Sequence, residues 1–295
     1  MNDFAFAESE LITWLASYPK SGSTWVRILI DAYRTNGHVD INDLQTGYGD
    51  SSAAYTRIVS AIPLQNLTIY GQWLLRPAAL LAAMSCLQAP RILKTHYANV
   101  IAEGMPAFIP RQLTQRAIYV FRDPRSIITS LAAWYDTDNA EAVKVLGSEN
   151  FNIKAQTDGL TTTQHINSWS RHVRSWMNTK AFPVLLVSYE DMLEDTDREL
   201  ERIVRFLGMD YDEMRVRRAV KAAELSKLRK AEINTGFREF REQRQQKQFF
   251  GKGGTRWQDE VEPELIAQVE ADHREMMLEF NYLEEEDGIH QRRGV

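Results

Sequence analysis

Four short apolar runs along the chain predict buried strands. Their interiors are continuously apolar instead of alternating between polar and apolar positions. That pattern is typical of parallel strands that are covered on both faces. The predicted strands are Leu11–Ala16, Arg91–Lys94, Ala117–Phe121 and Val184–Val187.

Segments with helical periodicity follow three of these runs. The predicted helices are Trp25–Tyr33, Arg125–Tyr135 and Leu200–Leu207. The last of them is preceded by Thr196 and Glu199, which have the spacing of a capping box. This alternation predicts an α/β fold, in which a parallel sheet is flanked by helices in three layers. In such sheets ligands bind beyond the carboxyl ends of the strands, so the residues that follow each strand are the candidates for a site.

Three polar segments do not fit this alternation and are predicted to be irregular. They are Gly47–Leu64, Thr137–Thr163 and Gly236–Gly254, and the first two are expected near a substrate entrance because long loops in compact domains are often functional. The most apolar stretch, Trp73–Ala89, contains Arg76 and is too short to span a bilayer, so it predicts a buried or substrate-lining helix. The chain has no internal repeat and no low-complexity linker, which favours a single domain over residues 1–295.

Composition and charge narrow the class of protein. Hydrophobic residues make up 44% and charged residues 25% of the chain, as in a globular protein with a substantial core. The formal net charge of −5 argues against a nucleic-acid binder. Cys86 is the only cysteine, and the acidic first residues lack the features of a signal peptide. We expect a cytoplasmic protein that neither binds nucleic acid nor inserts into a membrane.

The segment between the first strand and the first helix has the chemistry of an anion-binding loop. Gly22 lets the backbone approach a ligand, the next helix presents the amide groups of its first turn, and Lys20 adds a positive charge. The lysine precedes the glycine, so this is not the Walker pattern. The segment alone also fits a tight turn with a capping serine and a surface lysine. The candidate residues are Lys20, Ser21, Gly22, Ser23, Thr24 and Trp25.

A candidate phosphate site follows the third strand. Arg122 comes directly after the strand, and Ser130 lies eight positions later on the predicted helix. An arginine fork matches phosphate oxygens, and a serine hydroxyl completes such a site. The alternative is that Arg122 pairs with Asp123 or with another carboxylate at a strand end. Arg125 fits a solvated position at the start of the helix.

The second strand ends in Lys94 and His96. A neutral imidazole is well suited to take a proton from an acceptor group near physiological pH. Two other histidines, His165 and His172, are seven residues apart. On one helix they would share a face but lie too far apart for one metal ion, so we predict no metal site.

These motifs, in this order, resemble those of the cytosolic-type sulfotransferases, which use 3′-phosphoadenosine-5′-phosphosulfate (PAPS). The segment Tyr18–Trp25 resembles the family's 5′-phosphosulfate loop. Arg122 and Ser130 have the spacing of the pair that holds the donor's 3′-phosphate in that family. The resemblance spans about residues 11 to 257 and implies a P-loop NTPase-like sulfotransferase fold.

The resemblance also implies roles for individual residues. Lys94, Thr95 and His96 match the family's Lys-[Ser/Thr]-His element, so His96 would be the general base and Lys94 a supporting cation. Lys20 would stabilise the negative charge that grows on the leaving phosphate. Tyr189, in a strand-ending Tyr-Glu-Asp, would lie near the nucleotide, although a half-buried tyrosine fits that position equally well.

A late glycine-rich segment resembles, in part, the loop that closes over the 3′-phosphate in that family. Lys252, Gly253 and Gly254 match this loop and would bind the donor. Gly251 stands where the family has an arginine, and Arg256 is a candidate source of the missing guanidinium.

The activity implied by the resemblance is transfer of a sulfuryl group from PAPS to a hydroxyl or amine of a small-molecule acceptor, with release of adenosine 3′,5′-bisphosphate (PAP) and without a metal. One alternative is a P-loop-type nucleotide kinase, which would use ATP and magnesium. The other is a non-catalytic nucleotide-binding protein, which would keep Arg122 and Ser130 but could dispense with His96 and Lys20. The sequence does not identify the acceptor, and it leaves the oligomeric state open, with a homodimer as one option.

Overall fold

A five-stranded parallel sheet forms the centre of the protein, for which a computed structural model describes residues 7, 10–87, 91–155, 159–239, 248–250 and 257–284. Its strands are β1 (Ile12–Ser17), β2 (Tyr48–Gly49), β3 (Arg91–Thr95), β4 (Thr114–Phe121) and β7 (Val184–Ser188). The strand order is β2-β3-β1-β4-β7, and every neighbouring pair is parallel. Two short strands, β5 (Asn152–Ile153) and β6 (Gln164–His165), pair antiparallel outside this sheet.

Helices cover both faces of the sheet. On one face lie α3 (Ile69–Cys86), α4 (Ile128–Tyr135), α5 (Asn139–Gly147), α6 (Trp169–Met177) and α12 (Pro263–Glu279). On the other face lie α1 (Ser23–Arg34), α7 (Tyr189–Glu194), α8 (Thr196–Phe206), α9 (Glu213–Ala222) and α10 (Leu225–Thr235). The remaining helices are α2 (Ala53–Val59) and α11 (Trp257–Glu260), with short 3₁₀ helices at Leu64–Asn66, Arg111–Leu113 and Pro124–Ile127.

The two hydrophobic cores explain why the predicted strands read as continuous apolar runs. Neighbouring residues of β1 point to opposite faces, so Trp14 packs in one core and Leu15 in the other, and both are fully buried. The predicted three-layer α/β fold and all four predicted strands are therefore confirmed. The sequence missed β2, because a strand of two residues has too little pattern to detect.

Two of the segments predicted to be irregular contain helices. The segment Gly47–Leu64 contains α2, which begins where the Ser52 side chain accepts a hydrogen bond from the amide of Ala54. The segment Thr137–Thr163 contains α5, which the Asp138 side chain caps in the same way. Both helices are short and begin on polar caps, so their composition alone suggested loops. In the third segment, residues 240–247 and 251–254 lie outside the described residues.

The helix start predicted near residue 196 is shifted by one residue. The N-cap of α8 is Asp195, whose carboxylate accepts a hydrogen bond from the amide of Arg198 at 3.0 Å. The Thr196 hydroxyl donates to the carbonyl of Met192 in the preceding helix instead. A capping box on Thr196 and Glu199 was therefore wrong, because the neighbouring aspartate is an equally good cap.

The apolar stretch near residue 73 forms helix α3, as predicted. Its buried Arg76 makes an ion pair with Asp50 at 2.6 Å, donates to the carbonyl of Phe108 at 2.7 Å and stacks on the Tyr97 ring at 3.7 Å. These contacts tie α3 to the β2 edge of the sheet. In the described part of the chain, no helix combines the length and apolar character needed to cross a membrane.

Buried histidines make the fold sensitive to acid. Burial lowers the pKa of His172 to about 3 and that of His273 to about 4. Burial, reinforced by the neighbouring Lys94 cation, lowers the pKa of His96 to about 3. A histidine in an unfolded chain binds a proton below about pH 6.5, so between that pH and their folded pKa values the unfolded state holds more protons.

We therefore expect the free energy of unfolding to fall as the pH is lowered from about 7 to about 5, by up to about 1.4 kcal/mol per pH unit for each buried histidine. Urea denaturation at a series of pH values measures this slope. The slope should decrease in His172→Gln, with His38→Gln as the control at an exposed histidine. An unchanged slope in His172→Gln would contradict the burial argument.

Candidate active site

A cavity of about 560 Å³ opens at the carboxyl ends of the central strands. Most of the residues predicted from the sequence line it, and they come from four separate strand ends. Lining the cavity are Lys20, Gly22, Ser23, Thr24, Trp25, Lys94, His96, Arg122, Ser130 and Tyr189. Ser21 is buried within the loop itself. Lys252, Gly253 and Gly254 lie outside the described residues, as do Gly251 and Arg256.

The loop after β1 is shaped by two residues with left-handed backbone conformations. Lys20 has φ 71° and Gly22 has φ 99°. A Cβ atom at Gly22 would lie 2.5 Å from the Tyr189 ring, so glycine is needed there for the close approach as well as for the backbone angle. Helix α1 begins at Ser23, and no described side chain caps it. Its first turn therefore has the amide groups and the positive dipole end that favour an anion.

Two buried hydroxyl groups in these segments have no hydrogen-bond partner among the described residues. They are Ser21 Oγ in the loop and Ser126 Oγ after β4. Buried hydroxyls nearly always have a partner, so this arrangement is suited to a ligand that accepts hydrogen bonds. Ser126 lines the cavity, as do Arg122 and Ser130, whereas Ser21 does not. The residues present thus fit an anionic ligand with groups at two places.

Arg122 is placed by the aromatic ring of Tyr189. Its guanidinium lies 4.3 Å from the centre of that ring, and its Nη1 donates to the carbonyl of Lys20 at 3.5 Å. Tyr189 also packs edge-to-face on Trp25, with ring centres 5.9 Å apart. Burial raises the pKa of the Tyr189 hydroxyl, so this group stays neutral. One tyrosine therefore connects the glycine of the loop with the arginine after β4.

Of the alternative partners for Arg122, Asp123 is wrong, because Arg125 occupies that carboxylate. Arg125 donates to both oxygens of Asp123, with distances of 2.7 to 3.1 Å, and makes an ion pair with Glu270 of α12 at 2.6 Å. Its guanidinium also lies 4.1 Å from the ring centre of Trp257. Arg125 is buried, so the expectation of a solvated helix-start residue was also wrong. These contacts of Arg125 attach helix α12 to the end of β4.

His96 is held as a neutral base with a defined tautomer. Its Nδ1 lies 2.8 Å from the carbonyl oxygen of Ser17. A carbonyl oxygen only accepts, so Nδ1 carries the proton and Nε2 has the lone pair. Burial and the Lys94 cation lower the pKa of His96 to about 3, which keeps the ring neutral at physiological pH. The ring can therefore take up a proton at Nε2.

Lys94 lies in a small cluster of opposite charges. Burial lowers the pKa of Lys94, while the carboxylate of Glu239 acts in the opposite direction. Burial alone would raise the pKa of Glu239, but the cations of Lys94 and Arg27 outweigh it and lower that pKa. Glu239 and Arg27 also form an ion pair. The carboxylate thus favours the charged form of the lysine beside His96.

The ammonium group of Lys20 lies between two aromatic rings. Its Nζ is 4.7 Å from the ring centre of Trp134 and 5.1 Å from that of Phe249. Phe249 is placed by the buried Glu232 of α10, whose two carboxylate oxygens accept from the amides of Phe249 and Phe250 at 2.5 and 3.0 Å. Such cation–π contacts restrict where the lysine charge can lie.

His165 and His172 do not share a helix, contrary to the sequence-based expectation. His165 belongs to β6, whereas His172 lies in α6. His172 Nε2 donates to the carbonyl of His96 at 3.1 Å, and the Tyr119 hydroxyl donates to His172 Nδ1 at 2.8 Å. His172 thus fixes the backbone of His96. Within the described ranges, no three His, Cys, Asp or Glu side chains are grouped so that they could hold a metal ion.

Several residues of the cavity were not identified from the sequence. Ser17 contacts His96, and Phe249 lies beside the ammonium group of Lys20. Glu239 places a negative charge near Lys94, and Glu232 holds the backbone of Phe249. Ser17 is adjacent to the recognised loop and could have been found from that position. Glu239 lies 212 residues from Arg27, and Glu232 lies 17 residues from Phe249. Neither glutamate belongs to a segment with a motif.

Two mammalian sulfotransferases match part of this sequence. Sulfotransferase 1B1 of Canis lupus familiaris is 27% identical over 204 residues, which cover 68% of this chain and 60% of that protein. Sulfotransferase 1C2 of Rattus norvegicus is 24% identical over 217 residues, covering 73% of this chain and 64% of that protein. The matched segments thus span less than two thirds of the length of these relatives.

Solved structures of low sequence identity share the fold. Mouse sulfotransferase SULT7A1 complexed with PAP is 20% identical, with a TM-score of 0.58 over 91% of this chain and 85% of that chain. Retinol dehydratase in a complex with retinol and PAP is 18% identical, with a TM-score of 0.59 over 92% of this chain and 82% of that chain. A family model described as the sulfotransferase domain matches residues 12–281. This match covers most of the sequence, and the chain therefore belongs to the sulfotransferase domain family.

Proposed function

We propose that the protein is a PAPS-dependent sulfotransferase that transfers a sulfuryl group to a hydroxyl or amine of a small-molecule acceptor. The observation that carries this proposal is that a neutral histidine, a lysine and an arginine–serine pair line one cavity. Retinol dehydratase, which shares this fold, has been solved with PAP and retinol and with PAP and androsterone. Such ligands favour a small organic acceptor for this chain as well.

The residues that would hold the donor fall into two groups. The loop from Lys20 to Thr24 and the first turn of α1 would hold the 5′-phosphosulfate end. Arg122 and Ser130 would hold the 3′-phosphate, and Ser126, which lines the same cavity, is close to both in the sequence. In this second group, the ring of Tyr189 packs against the guanidinium of Arg122. When bound, PAPS supplies the activated sulfuryl group.

Proton removal and charge stabilisation are assigned to different residues. His96 takes the proton of the acceptor at Nε2, because Nδ1 already carries a proton that is hydrogen-bonded to the Ser17 carbonyl oxygen. Lys20 stabilises the negative charge that develops on the leaving phosphate oxygen. Lys94, in its cluster with Glu239, is a supporting cation next to the base. Sulfuryl transfer, like phosphoryl transfer, then depends on positioning and on charge stabilisation.

Nucleotide binding separates this proposal from the kinase alternative. We expect the protein to bind PAP more tightly than ADP in the absence of metal, because Arg122 and Ser130 provide a site for the 3′-phosphate that ADP lacks. Isothermal calorimetry with both nucleotides measures the preference, and Arg122→Ala should remove it. Tighter binding of ADP that depends on magnesium would favour the kinase.

Two substitutions test the catalytic assignment. Lys20→Ala and His96→Ala should each lower turnover of labelled PAPS by roughly a hundredfold, as expected for the loss of about 3 kcal/mol of transition-state stabilisation. Transfer is followed with a panel of phenols, alcohols and amines. Lys180→Ala and His38→Ala, at exposed positions, serve as matched controls. Near-normal turnover in either cavity variant, with the fold intact, would contradict its assigned role.

The protonation state of His96 can be checked without any substrate. Since burial and Lys94 lower its pKa to about 3, its imidazole resonance should not titrate between about pH 8 and about pH 5. Nuclear magnetic resonance of the free protein tests this, with His96→Gln used to assign the resonance. A titration midpoint near the ordinary histidine value of about 6.5 would mean that the ring is more solvated than the structure indicates.

A further inference from the structure

Three side chains form a continuous hydrogen-bonded chain between the base and the anion-binding loop. His96 Nδ1 lies 3.3 Å from the hydroxyl of Ser17, in addition to 2.8 Å from its carbonyl oxygen. The Ser17 hydroxyl lies 3.0 Å from the hydroxyl of Ser23. Ser17 is fully buried as the last residue of β1, and Ser23 is buried as the first residue of α1.

The direction of each hydrogen bond follows from the chemistry of these groups. The Ser17 carbonyl can only accept, so Nδ1 of His96 carries a proton, and the Ser17 hydroxyl at 3.3 Å accepts from the same N–H. A hydroxyl has one hydrogen, and that of Ser17 is thus available to donate to Ser23 Oγ. Ser23 Oγ accepts from Ser17 and keeps its own hydrogen to donate toward an anion in the cavity that it lines.

We propose that Ser17 is a positioning residue that couples the base His96 to the leaving-group end of the loop through Ser23. This inference rests on the proposed sulfotransferase function. All donors in the chain are oriented from the imidazole toward the loop. A hydrogen-bond chain with one direction strengthens when positive charge appears at its donor end and negative charge at its acceptor end.

The proposed reaction produces those two charges. The acceptor O–H or N–H bond breaks and its proton goes to Nε2 of His96, which makes the ring a cation. A bond forms between the acceptor atom and sulfur, the bond from sulfur to the phosphate oxygen breaks, and its electron pair stays on that oxygen. No proton has to move along the chain. Ser17 thus connects the His96 imidazole, which becomes positively charged, with the Ser23 hydroxyl at the leaving-group end of the loop. The negative charge develops at that end in the same step.

The contribution of the Ser17 hydroxyl can be separated from that of the Ser17 carbonyl group by substitution. The Ser17 carbonyl oxygen, which fixes the tautomer of His96, is retained in Ser17→Ala. The substitution therefore removes the link to Ser23 while it leaves the base in its neutral, Nδ1-protonated form. We expect kcat to fall roughly tenfold, the equivalent of about 1.4 kcal/mol, while the dissociation constant for PAP changes much less than kcat. Ser17→Thr, which restores the hydroxyl, should recover most of the rate.

A double-mutant cycle tests the coupling directly. If Ser17 acts through Ser23, Ser17→Ala should have little further effect on kcat in a Ser23→Ala background. Independent effects that multiply in the double variant would overturn the proposal. So would equal losses of kcat in Ser17→Ala and Ser17→Thr, because these would indicate a packing role for this buried position.

A measurement without turnover gives a second test. Addition of PAP to the wild-type protein should shift the His96 Nδ1–H resonance, and the shift should be lost in Ser17→Ala although calorimetry still detects PAP binding. The same shift in both proteins would overturn the coupling. A wild-type protein that does not bind PAP, or that transfers no sulfuryl group, would refute the proposed function and this inference with it. An active wild type with an equally active Ser17→Ala variant would refute the inference alone.

Discussion

The parallel pairing of β1 with β3 on one side and with β4 on the other is the constraint on which the site depends. This pairing brings three strand ends to the same edge of the sheet. His96 follows β3, Arg122 follows β4, and the anion-binding loop follows β1 between them. The backbone hydrogen bonds of the sheet and the two cores determine where these strand ends lie. The arrangement therefore does not depend on contacts within the cavity.

Contacts from distant parts of the chain then adjust the position of individual groups. Tyr189, after β7, approaches Gly22 so closely that it fixes both the loop and the guanidinium of Arg122. Arg125 attaches the C-terminal helix beside the same strand end through Asp123 and Glu270. The ion pair between Arg125 and Asp123 is shielded from water, so removal of Arg125 would leave the Asp123 carboxylate uncompensated at the edge of the site. The effect of the Arg125 ion pairs is to fix the geometry more than to add net stability.

The fold and the main charged groups of the site could be predicted because they follow local patterns. Apolar runs with polar residues at their ends identified the strands and, with them, Arg122 and His96. Side-chain contacts between separate segments could not be predicted. Glu232 holds the amides of Phe249 and Phe250, and nothing in the sequence around residue 232 distinguishes it from a surface glutamate on a helix. The cap of α8 on Asp195 shows a second limit, since two adjacent residues were chemically competent and only geometry chose between them.

The backbone of Lys20 has a consequence for the balance between stability and activity. A residue with a side chain in the left-handed region is less stable there than glycine by about 1 kcal/mol. The loop therefore holds its lysine in a conformation that a smaller residue would adopt with less strain. A sequence selected only for stability would have glycine at this position. The ammonium group of Lys20 lies between the rings of Trp134 and Phe249. Its presence indicates that the position of this positive charge matters more for the protein than the lower strain that glycine would give.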